Sequence, residues 1–437
     1  MKSTFLTRRI LRTAVAGACL AALALPAAAV DLKTADGSWT FSIDGEINVD
    51  YIYSSCENPS QAAGIGGGLT CVGSASGTNV SNVTNGLLPA AFSFGVATTQ
   101  DGIDLAAHLG LYPGIATNDS GSPNLGPLGS NASNTALGTT GLDIRQVYMT
   151  FGNKDIGTFT LGRNIGLFGA DVILADMTLP GVGAPGSAAT ALPANTTLGG
   201  IGFGYIYTDW LAQIDYTTPD ISGFALTVGI FDPLNSLSDS GTVESKKAPG
   251  VHAKISYTLP IAEGTKLYLS VAGLTQQQDN LAPTSPTPTS YSYTGSGADL
   301  FAKLDVQDLE VVGYYYHAKG LGTTALFLDG AYDGGPTPGQ TRTSSGYLGQ
   351  VTYKFGPVKL GVNYGRSILD YANAFDQAAN PDLLAYNEKF TVGVYYSLTK
   401  ALMLLAEGSR VESKSQSATL PNTNGASTFN IGAYLGF

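Results

Sequence analysis

WTFSIDGEINVDYIY, residues 39–53, carries two interleaved faces. The odd positions hold Trp39, Phe41, Ile43, Gly45, Ile47, Val49, Tyr51 and Tyr53, and the even ones Thr40, Ser42, Asp44, Glu46, Asn48, Asp50 and Ile52. A period of two sustained over fifteen residues is a β-strand with one apolar and one polar face. Strands of soluble proteins run about 5–6 residues, so the length itself selects an unusual setting. Phe41 and Tyr51 stand ten residues apart on the apolar face, about 33 Å along a strand and roughly 25 Å in height at a tilt near 40°. That is the height of the apolar band of a transmembrane barrel, with aromatic rings at both headgroup levels and aliphatics between them.

The same alternation returns along the chain. It predicts strands over 38–54, 86–98, 102–112, 141–152, 156–163, 209–218, 222–231, 250–260, 265–276, 297–306, 309–318, 345–356, 357–367, 388–398, 400–411 and 427–437, sixteen in all. The connections alternate in length. Tight turns fall at Gln100-Asp101-Gly102, Asn153-Lys154-Asp155, Pro219-Asp220, Ala262-Glu263-Gly264, Gln307-Asp308, Gly356-Pro357 and Thr399-Lys400, between long stretches rich in Gly, Pro, Ser, Thr and Asn. Short turns at one end and long loops at the other are the signature of an antiparallel barrel inserted from the periplasmic side. Backbone groups in hydrocarbon must all be paired within the protein, and for strands only a closed barrel leaves no bare edge. About sixteen strands enclose an aqueous channel, so inward Asp44, Glu46 and Asn48 face water.

Composition agrees. Of 437 residues only 13% are charged and 43% are apolar, with 56 Gly, 23 Tyr and 17 Phe. A disordered chain would have fewer aromatics and more charge, and no glycine recurs at every third position as in collagen. The first 29 residues read as a cleaved secretory signal, with basic Lys2, Arg8, Arg9 and Arg12, an apolar stretch from Thr13 to Leu25, and Ala27, Ala28 and Ala29 after Pro26. Ala16, three residues before Cys19, argues against a lipoprotein signal. The leader takes four basic residues and no acid with it, so residues 30–437 form one domain with 18 basic against 33 acidic groups, net −15. That sign argues against nucleic acid as a partner. Cys56 and Cys71 are then the remaining cysteines. In an oxidising compartment they read as a disulfide, which closes a loop of about fifteen residues and stabilises by roughly 3 kcal/mol. The chain ends Phe429, Ile431, Ala433, Leu435, Phe437 on alternate positions, and a terminal aromatic carboxylate is the pattern by which the barrel assembly machinery recognises outer-membrane proteins.

Three motifs resemble those of the trimeric general porins of Gram-negative proteobacteria. RQVYMTFGNKDIGTFTLGR (145–163) is similar to that family's fourth and fifth strands, ending in Leu-Gly-Arg before the constriction loop. IDYTTPDISGFALTVGIF (214–231) and VGVYYSLTKALMLLAE (392–407) resemble two of its hairpins. The resemblance covers essentially all of residues 30–437; a His-x-Phe ending is replaced by Tyr434-Leu435-Gly436-Phe437, and the first strand points acids inward. It implies a homotrimer in the outer membrane, in contact with lipid and lipopolysaccharide, passing ions and small hydrophilic solutes without a cofactor or metal. It also implies that the third loop, 164–198, folds into the barrel. Ile165, Leu167, Phe168, Val172, Ile173, Leu174, Met177 and Leu179 are too apolar for bulk water, which fits, and Asp171 and Asp176, the loop's charges, are expected to project into the constriction.

Parity assigns Asp44, Glu46, Asp50, Asp104, Asp299 and Asp305 to the inner wall, with His252, Lys254, Lys303, Lys354 and Lys359. Arg163 joins them if the chain bends at Gly162, and Arg145 shares the outward parity of Val147 and Met149. An acid-rich ring in a narrow, low-dielectric passage concentrates cations, so a mild cation preference is expected. Inward Tyr148, Tyr268, Tyr314, Tyr316 and Tyr395 suit the alternative of a channel selective for sugars or small aromatic acids. Catalysis finds little support, since His108, His252 and His317 lack metal-ligand spacing and no GxSxG, Walker or GxGxxG sequence precedes a helix. The enzyme alternative is an outer-membrane hydrolase barrel, which needs a Ser-His pair near the lipid-facing wall, and His317 has the outward parity for it.

Overall fold

A computed structural model describes residues 30–58, 65–71, 79–115, 142–186, 196–234, 243–244, 247–281, 290–418 and 422–437. The proposed leader, residues 1–29, lies outside the described residues. The strands are β1 (Val30–Lys33), β2 (Trp39–Cys56), β3 (Asn79–Thr84), β4 (Ala91–Gln100), β5 (Ile103–Pro113), β6 (Leu142–Asn153), β7 (Gly157–Ile165), β8 (Trp210–Thr217), β9 (Phe224–Phe231), β10 (Val243–Glu244), β11 (Gly250–Ala262), β12 (Thr265–Leu281), β13 (Tyr291–Val306), β14 (Leu309–Lys319), β15 (Ala331–Tyr332), β16 (Gln340–Thr341), β17 (Thr343–Phe355), β18 (Val358–Asp370), β19 (Leu384–Ser397), β20 (Leu402–Ser415) and β21 (Thr423–Gly436). Two short helices, α1 (Ala170–Ala175) and α2 (Ala374–Ala379), lie in loops.

Sixteen of these strands, β2, β4–β9, β11–β14 and β17–β21, pair antiparallel with their neighbours in a closed ring. Closure is made where Glu46–Cys56 of β2 meets Gly436–Ala426 of β21. The edge of β2 below that seam is covered by β1, whose Val30–Lys33 pairs with Ile43–Thr40. Between the two, Gly45 and Phe437 exchange both backbone hydrogen bonds at 2.9 Å. No strand edge is therefore left bare at the point where a barrel is hardest to close. The first short turn shows why its residues are there. Asp101 and Gly102 have φ of 50° and 79°, the left-handed pair that lets a two-residue turn follow the twist of the strands.

The expected strands appear, with two physical differences. Several reach further at the long-loop end. β13 begins at Tyr291 instead of 297, β19 at Leu384 instead of 388, and β21 at Thr423 instead of 427. Outward residues there, such as Ser292, Thr294 and Ser296, stand above the hydrocarbon, where no lipid enforces alternation. The strand expected over 86–98 is broken. β3 ends at Thr84 and β4 starts at Ala91, because Gly86 and Leu87 turn their backbone to the third loop, accepting from Thr197 (3.0 Å) and donating to Gly181 (2.7 Å).

Outward positions are aliphatic and aromatic and stand exposed, among them Ile47, Val49, Tyr51, Val392, Phe429 and Ile431, while Glu46, Asn48 and Asp50 between them are buried inside. A soluble monomer rarely exposes apolar surface on this scale. Among the described residues no helix is long and apolar enough to cross a membrane, so the strands are what meets lipid.

Candidate functional site

The lumen is narrowed by the third outer loop, between β7 and β8. Its residues Phe168, Val172, Val182, Phe203, Tyr205 and Ile206 have no exposed surface, because Val182 packs on Ile52 of β2 and the others form one cluster with inward Tyr314, Tyr316, Phe301 and Leu348 of the wall. Wall glycines make the seat. A Cβ on Gly365 would stand 2.0 Å from the carbonyl oxygen of Phe203, and one on Gly361 2.6 Å from Met177 Sδ.

Polar wall residues then pin the loop by its backbone. Asp299 Oδ2 accepts from Gly169 N (2.7 Å) and its Oδ1 from Ala272 N (3.1 Å). Gln350 Oε1 accepts from Met177 N (2.7 Å). Glu407 Oε2 accepts from Val182 N and Gly183 N at 2.8 and 2.9 Å, and its Oε1 from Tyr395 Oη (2.6 Å). These bonds satisfy loop N–H groups that would otherwise be buried without partners, a loss of about 1–3 kcal/mol each.

The two loop acids separate in role. Asp171, at the start of α1, faces Lys254 Nζ (3.0 Å), Tyr268 Oη (3.0 Å) and Ser270 Oγ (2.6 Å). Asp176 does not project into the passage, contrary to expectation. It is 1% exposed and accepts from Tyr205 Oη (2.8 Å), Asn363 Nδ2 (3.1 Å) and Thr178 N (2.9 Å). Apolar packing around the loop pulls its carboxylate against the wall, where hydroxyl and amide donors replace water. Lys389, which the parity reading did not single out, is fully buried close to Asp176 and Glu407.

The remaining wall charges fall into two sets. Lys303 is neutralised by Glu310 (2.5 Å) and Asp305 (3.7 Å), as Lys254 is by Asp171. Asp44 is half-buried, in register with Ser93 of β4. Glu46 accepts from Tyr434 Oη (2.6 Å), Asp50 from Asn430 Nδ2 (3.0 Å), and Asp104 from Thr99 Oγ1 (2.6 Å) beside its turn. Among the described residues none of these four has a Lys or Arg as its hydrogen-bonded partner. Lys359 lies 4.8 Å over the ring of Tyr395, and Lys354 is its register partner across β17 and β18. His252 stacks on Phe231 at 3.9 Å.

Two arginines depart from the parity reading. Arg145 was expected outward, but the register between β5 and β6 shifts between Gly110 and Tyr112. The bulge turns Arg145 inward, 6% exposed, onto Asp143 (3.0 Å) and 5.5 Å from the Tyr112 ring. A bulge of this kind has no signature in the alternation and was the residue most easily missed. Arg163 does the opposite. Gly162 has φ of 129°, yet pairing continues and Arg163 stays in the row of Val147 and Ala212, which face outward. The tyrosines also redistribute. Tyr314 and Tyr316 are sealed beneath the third loop, and Tyr395 is packed on Met403, Leu405 and Tyr434 with its hydroxyl on Glu407; all three are at most 5% exposed.

Other loops fold toward the mouth. Cys56 and Cys71 are joined, and the sixth loop, between β14 and β17, buries Leu321, Leu326 and Phe327. Arg342 makes a bidentate pair with Asp376 of α2, both bonds 2.8 Å. Burial pushes the Asp376 carboxyl up, but the Arg342 guanidinium and the Ala372 N–H outweigh it and hold the group below its ordinary value. Among the described residues no His, Cys, Asp and Glu group is arranged to hold a metal ion.

The family model for Gram-negative porins matches residues 14–416. Solved structures share the fold across nearly the whole chain. The outer membrane channel DcaP of Acinetobacter baumannii is 14% identical, with a TM-score of 0.65, covering 93% of this chain and 99% of its own. An anion-selective porin from Comamonas acidovorans is 12% identical, with a TM-score of 0.56 and coverage of 91% and 100%. A trimer form of OmpT of Vibrio cholerae is 13% identical, with a TM-score of 0.51 and coverage of 92% and 100%. No curated relative matches the sequence. A closed sixteen-stranded barrel with a lipid-facing apolar girdle, an inward third loop and a family match over most of its length makes this chain a member of the Gram-negative porin family, a multi-pass protein of the outer membrane.

Proposed function

We propose that the chain forms a water-filled channel for passive diffusion of ions and small hydrophilic solutes, mildly selective for cations. The observation that carries this is the imbalance of unpaired charge. Among the described residues Lys254 and Lys303 are neutralised by acids, whereas half-buried Asp44 lies beside Ser93 and Asp104 accepts from Thr99. Glu46 and Asp50, expected in the pore lining, are instead buried on Tyr434 and Asn430 and add no exposed charge. The acids sit on β2 and β5, and Lys354 and Lys359 on β17 and β18, which reach β2 around the ring through β19, β20 and β21. A narrow passage with this field concentrates cations along its acidic wall. Asp44, Asp104, Asp171, Lys254, Lys303 and Lys359 are the proposed pore-facing charges. Asp176 and Asp299 are proposed as loop anchors. The match to channels supports a transport role.

A homotrimer is the proposed assembly, supported by the trimeric relative, and Phe437 is the proposed assembly signal. Salt-gradient recordings test the selectivity, with a cation-sided reversal potential expected; equal permeabilities would refute it. The inward folding of the first, third and sixth loops favours a second reading, a solute-selective channel. Block of ion current by a sugar or an aromatic acid would establish it.

A further inference from the structure

We propose that Leu69, carried by the disulfide-closed first loop, is a positioning residue for the third loop, and that the steadiness of the open channel depends on it. The bond between Cys56, the last residue of β2, and Cys71 closes a separation of 15 residues. The second described limb of that ring, Ile65–Cys71, turns into the mouth. Gly66 N donates to the Asp382 carbonyl oxygen (3.0 Å) and Leu384 N to that of Gly66 (2.8 Å). Leu69 N and Thr70 N both donate to Ser413 Oγ, at 3.1 and 3.0 Å. These anchors belong to β20 and to the approach and start of β19, so the strap is seated on the wall independently of the third loop.

The side chain of Leu69 then meets that loop. A Cβ on Gly202 would stand 2.2 Å from Leu69 Cδ1, and Gly202 has φ of 75°, so neither the space nor the backbone admits a side chain there. On the far side of the same limb, Gly204 N donates to Ser367 Oγ (2.9 Å), and Phe203 lies on the glycine seat at Gly365. The limb Gly200–Tyr205 is thus clasped between the barrel wall and Leu69, with Thr324 of the sixth loop beside it, 3.0 Å from the Gly202 Cβ position. Among the described residues its side-chain link to the wall is the one to Ser367, whereas Asp299, Gln350 and Glu407 hold the outgoing limb. Removing Leu69 frees the limb to leave the wall and enter the passage. The cysteine bond matters because it fixes where Leu69 is presented.

This inference rests on the channel reading in its readout alone. The test compares parent, Leu69→Gly, and the Cys56→Ser/Cys71→Ser double variant of the full protein in planar bilayers. Barrel integrity is followed in parallel by heat-modifiable gel mobility. Expected are sub-conductance closures at least ten times more frequent in both variants, with the folded gel band melting as in the parent. A parent that conducts, with both variants equally steady, overturns the inference. If the double variant does not assemble, Leu69→Gly, which keeps the bond, decides alone. A parent without conductance would instead fail the channel reading itself.

Discussion

Glu407→Gln is the perturbation that most sharply separates loop anchoring from ion selection. Glu407 is 1% exposed, and its carboxylate takes hydrogen bonds from Val182 N, Gly183 N and Tyr395 Oη. Hydrogen bonds to a charged acceptor contribute about 1.5–3 kcal/mol and neutral ones about 0.5–1.5. Making the acceptor neutral therefore weakens each loop N–H bond by about 1 kcal/mol, and the pair by about 2. At 1.4 kcal/mol per factor of ten, the detached loop becomes roughly 30-fold more populated. In single-channel recordings this is expected as a matching rise in sub-state occupancy, with the reversal potential in a salt gradient unchanged. A steady current whose reversal potential moves toward anions would refute the reasoning, since Glu407 would then face permeant ions instead of the loop.

Three further outcomes are expected. Asp44→Asn removes a proposed pore-facing charge without touching the loop, so cation preference should fall with no added current noise; unchanged selectivity would remove Asp44 from the proposed pore lining. Gly365→Ala places a methyl on the Phe203 carbonyl, an overpacking cost of about 1–3 kcal/mol. It should lower conductance, whereas Gly349→Ala, with nothing within 4 Å, should match the parent, and equal conductances would contradict the seat. Arg342→Ala strands the buried Asp376 carboxylate, a loss of about 3–5 kcal/mol, seen as protease cleavage between β14 and β19. Because the Asp376 carboxyl is held below its ordinary value when folded, the pair's stabilisation is present above about pH 4 and disappears as pH falls through the depressed value. Protease sensitivity of the parent that does not rise on acidification would contradict this.

Alternation made the ring legible because lipid on one face and water on the other impose a strict parity, as in Trp39–Tyr53. Where that boundary condition stops, so does the signal. The upper half of β13 carries Ser292, Thr294 and Ser296 on its outward face and that of β21 carries Ser and Thr on both faces, and the break at Asn85–Ala90 is set by the third loop's backbone. The loop's burial was legible in Phe168, Val172 and Met177, but its carboxylates were not. Asp171 and Asp176 are five residues apart in one loop and look alike in sequence; only the wall decides that one meets Lys254 and the other Asn363 and Tyr205. Arg145 was misplaced because one extra residue in β6 reverses the parity of everything beyond it.

The most direct test of the central claim is the reversal potential of the detergent-purified protein in a planar bilayer under a potassium chloride gradient. An acid-lined open channel gives discrete conductance steps with a cation-sided potential that falls as ionic strength rises. Absence of conductance, or an anion-sided potential, would contradict it.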